Sequence, residues 1–474
     1  MSRDSDRIEF LWVGVFILSV YGASTLIANS WQRYNSNPTV IAIQKNYREW
    51  NITFPAATFC FLDNVDEQSA KNFINRTWGI VPIATEEADA DYGDPEETEE
   101  TTPDANITTE ASSTVDNEAA HIAETNQKYK YYLTFLKNLA NMTYENLNVF
   151  EQYVDDDTIN QLDMKKTILE VIRQVNQQST FFNKEFKNRE FLQTLTEMGI
   201  CYTHGGVVSD YITITGVPHY RPNFQLPTCN FLNTLCYSRT EGIPSDVRYY
   251  VHSPNEIPDI SSSFFKVSGR MDRDTSFTVL ETTVSPEINR LNPSQRKCRF
   301  EEEPTIPHMK VYSFNLCRMQ CRKEKAFELC GCAPYFYQKE HGIPVCGIKG
   351  LVCLSKYSEE LINLRMSNGE KLECNCLPQC INNRYFVDRE VVRQWSFPVP
   401  YDIRFRWAIE KFSKIRLRRD VIFSFEDLVV SFGGTAAFFL GCSVLSFVEI
   451  IYFFTLRLIW FVFTKEETTK NKSN

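Results

Sequence analysis

The chain has 474 residues, 43% of them hydrophobic and 14% aromatic, which is enough for a sizeable core and more than one structural layer. Its formal net charge is −10, but residues 85–126 carry 14 acidic residues and no Lys or Arg, so the rest of the chain is mildly basic. The overall acidity therefore says little about partners, and we expect no nucleic acid among them. The absence of an HExxH motif, a P-loop and a nucleophile elbow argues against an enzyme.

The first apolar segment, residues 8–28, has about the 20 residues that a membrane-spanning helix needs. A signal peptide is the alternative, because Arg3 and Arg7 precede the segment near the N-terminus. The apolar run is longer than a usual signal core, and Trp12 and Trp31 bracket it as interfacial anchors do. The pattern therefore predicts a transmembrane helix.

Fourteen of the 15 cysteines lie between Cys60 and Cys380. An even number in one long segment is typical of up to seven disulfides in an oxidising compartment, although their pairing cannot be read from sequence. Zinc stays an alternative for close pairs such as Cys317 and Cys321. The candidates are Cys60, Cys201, Cys229, Cys236, Cys298, Cys317, Cys321, Cys330, Cys332, Cys346, Cys353, Cys374, Cys376 and Cys380.

The same segment carries four Asn-x-Ser/Thr sequons, which belong in extracellular loops and favour disulfides over zinc. The predicted glycosylation sites are Asn51, Asn75, Asn106 and Asn141. We expect no cofactor and no bound metal.

Between the apolar segments, the composition predicts an exposed, acidic, disordered insertion at 85–126. Apolar residues recur with helical periodicity in 131–193. Short alternating runs such as 211–215 and 277–283 predict strands, and 314–329 is typical of a helix with cysteines at its ends.

The second apolar segment, residues 428–463, would be some 50 Å long as a helix, well beyond a hydrocarbon core of about 30 Å. It must therefore tilt strongly, break or project beyond the membrane, and its glycine-rich centre is the expected place for a break. An acid, Glu449, lies inside it, and a carboxylate in hydrocarbon is expensive unless it faces water or a partner. Small residues and an acid together suggest the wall of a water-filled pathway for ions.

The predicted fold class is an α+β membrane protein, with two transmembrane helices flanking a large disulfide-rich extracellular domain that has a β-strand core and peripheral helices. Lys411 to Asp420 places five basic residues outside, against the positive-inside rule, but long translocated domains largely escape that rule. The predicted division is 1–7 cytoplasmic, 8–28 first transmembrane helix, 29–422 extracellular, 423–463 second transmembrane region and 464–474 cytoplasmic tail.

Five ordered motifs are more specific than these signals, and together they cover nearly the whole chain. They are FPAATFC (54–60), TEMGICYT (196–203), VHSPNEIP (251–258), the cysteine-rich run 298–380 and GCSVLSFVE (441–449). With these motifs the chain resembles the degenerin/epithelial sodium channel family, and it is most similar to insect pickpocket-type members. The resemblance implies a plasma-membrane subunit of a trimeric, sodium-selective, non-voltage-gated channel that its extracellular domain gates.

The resemblance assigns roles to residues of the second apolar segment. Gly441, Cys442 and Ser443 would form the selectivity filter, with one copy from each of three subunits and sodium as the permeant ion. Glu449 would attract cations in the inner pore. Val430 stands at the gating position, where bulk favours the open state, and Ala437 stands at the position of amiloride block, where Gly or Ser is usual. Glu426 and Asp427 would lie at the outer mouth.

The resemblance also implies contributions from the ectodomain. Trp31 and the region 47–50 would carry motion from the ectodomain to the helices. His204 stands where the family signature has Phe, which makes it a candidate proton sensor, although an ordinary loop histidine is the simpler interpretation. The stimulus, whether an extracellular ligand, a proton or a matrix contact, is not readable from the sequence.

Alternatives to a conducting subunit stay open. Only Met1 to Arg7 precedes Ile8, and the family's cytoplasmic His-Gly motif is absent. The chain would then be truncated, open poorly alone, or act as a non-conducting two-pass subunit or receptor that needs a partner in a homo- or heterotrimer. A trimeric ATP-gated channel lacks support because no matching cluster of Lys and Arg is present. A scavenger-receptor-like lipid binder would not need Gly-x-Ser or a membrane acid.

Overall fold

The computed structural model describes residues 2–83, 112–175, 178–181, 189–218, 225–232, 236–306, 309–340, 342–366, 368–394, 403–441, 443–457 and 460. Within these ranges the chain divides into two compact units. The small unit comprises Met1–Lys45, Thr282–Arg299 and Ile415–Asn474, and the large unit comprises Asn46–Glu281 and Phe300–Lys414.

The helices are α1 (Ser2–Ser36), α2 (Glu67–Trp78), α3 (Ser112–Ala140), α4 (Asp157–Asn160), α5 (Met164–Val171), α6 (Pro293–Arg296), α7 (Phe314–Cys330), α8 (Ile348–Ser355), α9 (Ser358–Asn363), α10 (Phe425–Leu440) and α11 (Val444–Phe454). The strands are β1 (Thr39–Gln44), β2 (Asn51–Thr53), β3 (Ala56–Phe61), β4 (Gln178–Phe181), β5 (Arg189–Glu190), β6 (Leu192–Thr196), β7 (Gly199–His204), β8 (Thr228–Asn230), β9 (Tyr237–Ile243), β10 (Val247–His252), β11 (Phe265–Val267), β12 (Met271–Val284), β13 (Asn382–Gln394), β14 (Ile403–Ile409) and β15 (Arg416–Val421).

In the small unit, α1 is apolar around most of its circumference. Large side chains such as Phe10, Phe16 and Leu18 are exposed, whereas Ala23 is buried. A helix that exposes apolar side chains on nearly all sides suits lipid rather than water. Phe10–Ser36 is the one helix among the described residues that is long and apolar enough to cross a membrane.

Two strands join the apolar helices of the small unit. β1 follows α1 and pairs antiparallel with β15, which precedes α10, in a register that runs from Thr39↔Val421 to Gln44↔Arg416. The last residues of β12, Thr282–Val284, pair parallel with β15. The chain entering from α1 and the chain leaving toward α10 are therefore held by a continuous ladder.

The large unit contains two larger sheets, a two-stranded sheet of β2 and β8, and a layer of helices. One sheet has the order β12-β14-β9-β4-β5 with β13 on the other side of β12, and the second has the order β11-β10-β3-β7-β6. Aromatic side chains fill the core between strands: the ring centroids of Tyr249 and Phe405 are 4.7 Å apart, and those of Phe59 and Tyr202 are 5.3 Å apart. Helices α2, α3, α5, α7 and α8 enclose a second core.

All fourteen predicted cysteines are disulfide-bonded, which excludes them as zinc ligands. Four bridges tie α7 and the segments after it into one block: Cys317–Cys376, Cys321–Cys374, Cys330–Cys353 and Cys332–Cys346. Two others are Cys60–Cys201, which joins β3 to β7, and Cys229–Cys236. The predicted disulfide framework is confirmed.

A fully buried guanidinium connects the family motifs in the large unit. Arg322 of α7 donates to Glu197 Oε2 at 2.8 Å and to Asp259 Oδ2 at 3.1 Å. Its Nε donates to the carbonyl of Leu361 at 3.0 Å. Glu197 belongs to TEMGICYT and Asp259 directly follows VHSPNEIP, so two distant motifs meet at one cation. A second cation, Arg318, lies 3.0 Å from Asp259 Oδ2, so the two buried carboxylates face two guanidinium groups.

Several predicted elements agree with the structure and others do not. The strand predicted at 277–283 lies within β12, and the helix predicted at 314–329 is α7. The strand predicted at 211–215 is wrong: this segment forms turns with a single bridge between Thr194 and Thr213. Helical periodicity in 131–193 holds for the end of α3, for α4 and for α5, but β4, β5 and the start of β6 follow from residue 178 onward.

The predicted disordered insertion, 85–126, is partly wrong. Residues 85–111 lie outside the described residues, but 112–126 belongs to α3. The later turns of α3 pack Phe135 and Leu139 into the helical core, and helix propagation from that anchor is favourable. The Asn126 amide also exchanges two 3.0 Å hydrogen bonds with the backbone of Ile83, which fixes the middle of the helix.

Arg322→Leu should lower the free energy of unfolding by about 3–5 kcal/mol, because it leaves the buried Glu197 carboxylate without its cation and Asp259 with Arg318 alone. Thermal or chemical unfolding of the purified full-length protein in detergent measures this. Arg384→Leu is the matched control, because Arg384 is exposed on β13 and should change stability by less than about 0.5 kcal/mol. Equal stability of the two variants would contradict the assigned role of Arg322.

Candidate functional site

The two apolar helices of the small unit pack as an antiparallel pair. Contacts pair earlier residues of α1 with later residues of α10: Tyr34 lies beside Phe425, Ser30 Oγ is 2.9 Å from Ser431 Oγ, and Gly22 lies against Phe439. A Cβ at Gly22 would stand 2.7 Å from the Phe439 ring, so the missing side chain permits the close approach. Contacts along both helices argue against a cleaved signal peptide, and the predicted first transmembrane helix fits α1.

The second apolar segment is broken where its length predicted a break. α10 ends at Leu440, and Gly441 caps it with φ +66°, a left-handed conformation that glycine adopts without strain. α11 begins after Ser443, whose side chain accepts from Ser446 N at 3.3 Å. Cys442 lies outside the described residues. Each half, of 16 and 11 residues, is shorter than the roughly 20 residues that span a membrane.

The break exposes backbone groups at mid-depth of the apolar helix pair. Phe439, two residues before the break, lies opposite Gly22, which is near the centre of the 27-residue apolar span of α1. The last carbonyls of α10 and the first amides of α11 lack partners within their own helices. Gly441 and Ser443 are exposed. In a membrane such groups are tolerated only where protein or water satisfies them.

Glu449 lies on the helix that follows the break. It is six residues beyond Ser443, or about 9 Å along α11, and it is exposed. No carboxylate–cation pair involving Glu449 occurs among the described residues. The break therefore offers uncharged oxygen atoms that can coordinate a cation. Glu449 adds a negative charge further along α11.

The remaining predicted residues lie along α10. Val430 is 73% exposed. Ala437 is also exposed and lies one turn before the break, and its carbonyl accepts a hydrogen bond from Gly441 N at 3.0 Å. Glu426 is 3.3 Å from the exposed Arg290 guanidinium. The Asp427 carboxylate caps α10 by accepting from Ser424 N and Oγ, each at 2.9 Å.

The sequons differ in their surroundings. Asn51 and Asn75 are exposed, as a glycan requires. Asn141 is half-buried, and its side-chain oxygen accepts from Asn64 N at 3.1 Å. Asn106 lies outside the described residues.

His204 is a buried strand residue, so its interpretation as a loop histidine is wrong. It ends β7, and its ring lies 5.3 Å from Phe191 and 5.8 Å from Trp407, centroid to centroid. Trp31 is half-exposed on α1, and Tyr47–Glu49 forms a 3₁₀ turn before the buried Trp50. Their predicted role in carrying motion stays a prediction.

One ionisable group of the ectodomain was not singled out by the sequence. Glu256 accepts from Phe314 N at 3.0 Å and Asn315 N at 3.2 Å, at the first turn of α7. Burial, together with a smaller effect of the neighbouring Asp259 carboxylate, raises the pKa of Glu256 to about 7 against the opposing effect of the donors at α7. In the sequence, Glu256 is simply one residue of the motif VHSPNEIP. The fold places it at the N-terminus of α7.

These features define a membrane protein in which two apolar segments, the second of them broken, flank a large disulfide-rich domain. Residues 1–453 match the family model described as amiloride-sensitive sodium channel. The chain therefore belongs to the amiloride-sensitive sodium channel family.

Curated relatives agree with the family match. The chain is 25% identical to Pickpocket protein 11 of Drosophila melanogaster over 218 residues, 44% of this chain and 42% of the relative. It is 30% identical to the sodium channel protein Nach of Drosophila virilis over 192 residues, 38% and 49% of the two chains. It is 25% identical to acid-sensing ion channel 4-B of Danio rerio over 230 residues, 44% and 38%. The matches span less than half the length of these relatives.

Glu256→Gln should remove a pH dependence of stability. Because the folded pKa is raised above the ordinary 4.5, the folded chain holds a proton that the unfolded chain has released between pH 4.5 and 7. The contribution of Glu256 is therefore present below pH 4.5 and lost as the pH rises to 7, by about 1–3 kcal/mol.

The measurement is the unfolding midpoint of the full-length protein and of Glu256→Gln across this pH range. The difference between the two proteins should grow in favour of the variant as the pH rises. A constant difference would show that Glu256 titrates normally. Glu302→Gln, in the same unit, is the control.

Proposed function

We propose that this chain is a subunit of a trimeric, non-voltage-gated, sodium-selective cation channel that its extracellular domain gates. The observation that carries the proposal is the break in the second apolar segment at Gly441 and Ser443, in a member of this family. A continuous anchor would not interrupt its ladder of backbone hydrogen bonds at mid-depth of an apolar helix pair. The proposed location is the plasma membrane, with both termini cytoplasmic, in a homo- or heterotrimer with related subunits.

The break supplies the groups that a cation filter needs. Around a three-fold axis, small residues such as Gly441 and Ser443 allow a narrow constriction. Backbone carbonyls at the end of α10 and the Ser443 hydroxyl then replace part of the hydration shell of a sodium ion. Cys442 stands between them in sequence and completes the proposed filter.

The acids act as cation attractors to different degrees. Glu449, exposed and beyond the break, raises the local cation concentration in the inner pore. At the outer mouth, Glu426 lies 3.3 Å from the exposed Arg290 guanidinium, which offsets part of its charge. Asp427 accepts hydrogen bonds from Ser424, and no ion pair of Asp427 occurs in the part of the chain that the structure describes. We therefore assign the outer attraction mainly to Asp427.

Gating through the ectodomain is supported by the ladder of the small unit. β1 and β15 are paired over six residues, and each leads within a few residues into an apolar helix. A displacement of either strand is therefore delivered to both helices. Val430, exposed on α10 without burial by α1, is available for contact with another subunit.

Thiol accessibility at the break tests the pore. Ser443→Cys, made in a Cys442→Ser background, is expressed in oocytes under voltage clamp, alone and with related subunits. An external cationic methanethiosulfonate reagent should abolish most of a sodium current, because it adds a bulky cation to the constriction. Replacement of sodium by a large organic cation should abolish the inward current before modification.

The matched control is Ser19→Cys in the same background, which places a thiol on α1 and should leave the current unchanged. Sodium current that persists after Ser443→Cys is fully labelled would contradict the pore assignment. Absence of current in every subunit combination would favour the accessory, non-conducting subunit.

Val430→Gly should lower the basal current severalfold, because bulk at this position of α10 biases the helices toward the open state. The current is recorded under voltage clamp and divided by the surface amount of each protein. Val429→Gly, one residue earlier on the same helix, controls for helix weakening by glycine, which costs about 1 kcal/mol at either position. An unchanged basal current in Val430→Gly would contradict the assignment.

A further inference from the structure

A concave surface lies in the large unit, within the described residues and far in sequence from the break at Gly441. It is a groove of about 1350 Å³ between α5 and the segment that follows α7, with the turn at 215–218 along one side. We call it the lysine groove, because Lys165, Lys166 and Lys339 line it. Lys165 and Lys166 lie outside the family motifs, and Lys339 lies within the cysteine-rich run 298–380.

The charge of the lysine groove is unbalanced. Among the described residues, none of its three lysines forms an ion pair. The two acids that line the groove have other roles: Asp163 caps α5 by accepting from Lys166 N at 3.1 Å, and Glu340 is 2.7 Å from the Nζ of buried Lys323. The groove therefore carries an excess of positive charge.

Two of the lysines repel one another. Lys165 is half-buried, and burial together with the charge of Lys339 lowers its pKa, whereas Asp163 opposes the shift. Like charges in a concave site cost free energy that an anion placed between them would recover. The groove is therefore arranged to favour a negatively charged ligand.

A smaller, partly apolar hole adjoins the groove. It has a volume of about 80 Å³, several times the roughly 10–15 Å³ that a single water needs. Its apolar walls include Ile212, Leu316 and Phe336, and its polar wall includes the paired Lys323 and Glu340. It shares Met309, Gln338, Lys339 and Glu340 with the lysine groove. A small apolar substituent could enter the hole while a charged group stays beside Lys339.

We propose that the lysine groove binds a small organic anion, with its carboxylate or phosphate between Lys165 and Lys339 and a short apolar or aromatic substituent in the hole. The charged end accepts charge-assisted hydrogen bonds from the two ammonium groups. The apolar end is desolvated against Met309 and Phe336. The ligand joins α5 to the segment after α7, two parts of the large unit that are remote in sequence.

The test is calorimetric titration of the purified full-length protein with phenyl phosphate, inorganic phosphate and benzyl alcohol. Phenyl phosphate should bind saturably and more tightly than inorganic phosphate, and benzyl alcohol should not bind measurably. Lys165→Gln and Lys339→Gln should each weaken phenyl phosphate binding about tenfold, as expected for loss of one charge-assisted hydrogen bond. Lys356→Gln, an exposed lysine outside the groove, should leave binding unchanged.

Each other outcome overturns a stated part of the proposal. No saturable binding of phenyl phosphate, or equal binding by Lys165→Gln, Lys339→Gln and Lys356→Gln, overturns the anion site. Equal affinities for phenyl phosphate and inorganic phosphate overturn the role of the hole. Unfolding midpoints of the three variants show whether each is folded. Lys165→Arg, which keeps the positive charge, should bind phenyl phosphate more tightly than Lys165→Gln does.

Discussion

A chain that crosses hydrocarbon must satisfy its own backbone hydrogen bonds, and this constraint gives the break at Gly441 its meaning. α10 and α11 are each well bonded and capped, the first by Gly441 and the second by Ser443. Between them, carbonyl and amide groups are left for a partner outside either helix. A helix break that faces lipid would be destabilising. In the wall of a water-filled pathway, water or ions can bind the same backbone groups. The proposed filter follows from this requirement.

A second constraint organises the ectodomain. Arg322 is fully buried, and its charge is tolerable only because Glu197 and Asp259 approach it from two different segments. The disulfides around α7 hold that helix as a block, so the ion pairs position the block against β7 and the segment after β10. The proposed gating through the large unit would require rigid coupling of this kind. The ladder of β1 and β15 provides the corresponding stiffness beside the apolar helices.

Features with strong local signals were predictable from the sequence, and features that depend on long-range packing were not. Excess apolar length predicted a break, and glycine followed by Ser-x-x-Ser is typical of a helix end and a new N-cap. By contrast, 211–215 alternates as a strand does but has no neighbour to pair with beyond one bridge, so it forms turns. The helix at 112–126 depends on anchoring by distant core residues, and the burial of His204 depends on Phe191 and Trp407. The meeting of Glu197, Asp259 and Arg322 has no local signal at all.

The central claim is that permeating ions contact the Gly441–Ser443 break, and the reversal potential tests it most directly. Currents through the chain and through Ser443→Ala would be recorded with sodium outside and potassium inside, with Ser19→Ala as the control. The account predicts that Ser443→Ala shifts the reversal potential to less positive values, because a ligand that replaces sodium hydration is lost, and that the control does not. A sizeable current whose reversal potential is the same in all three proteins would contradict the account.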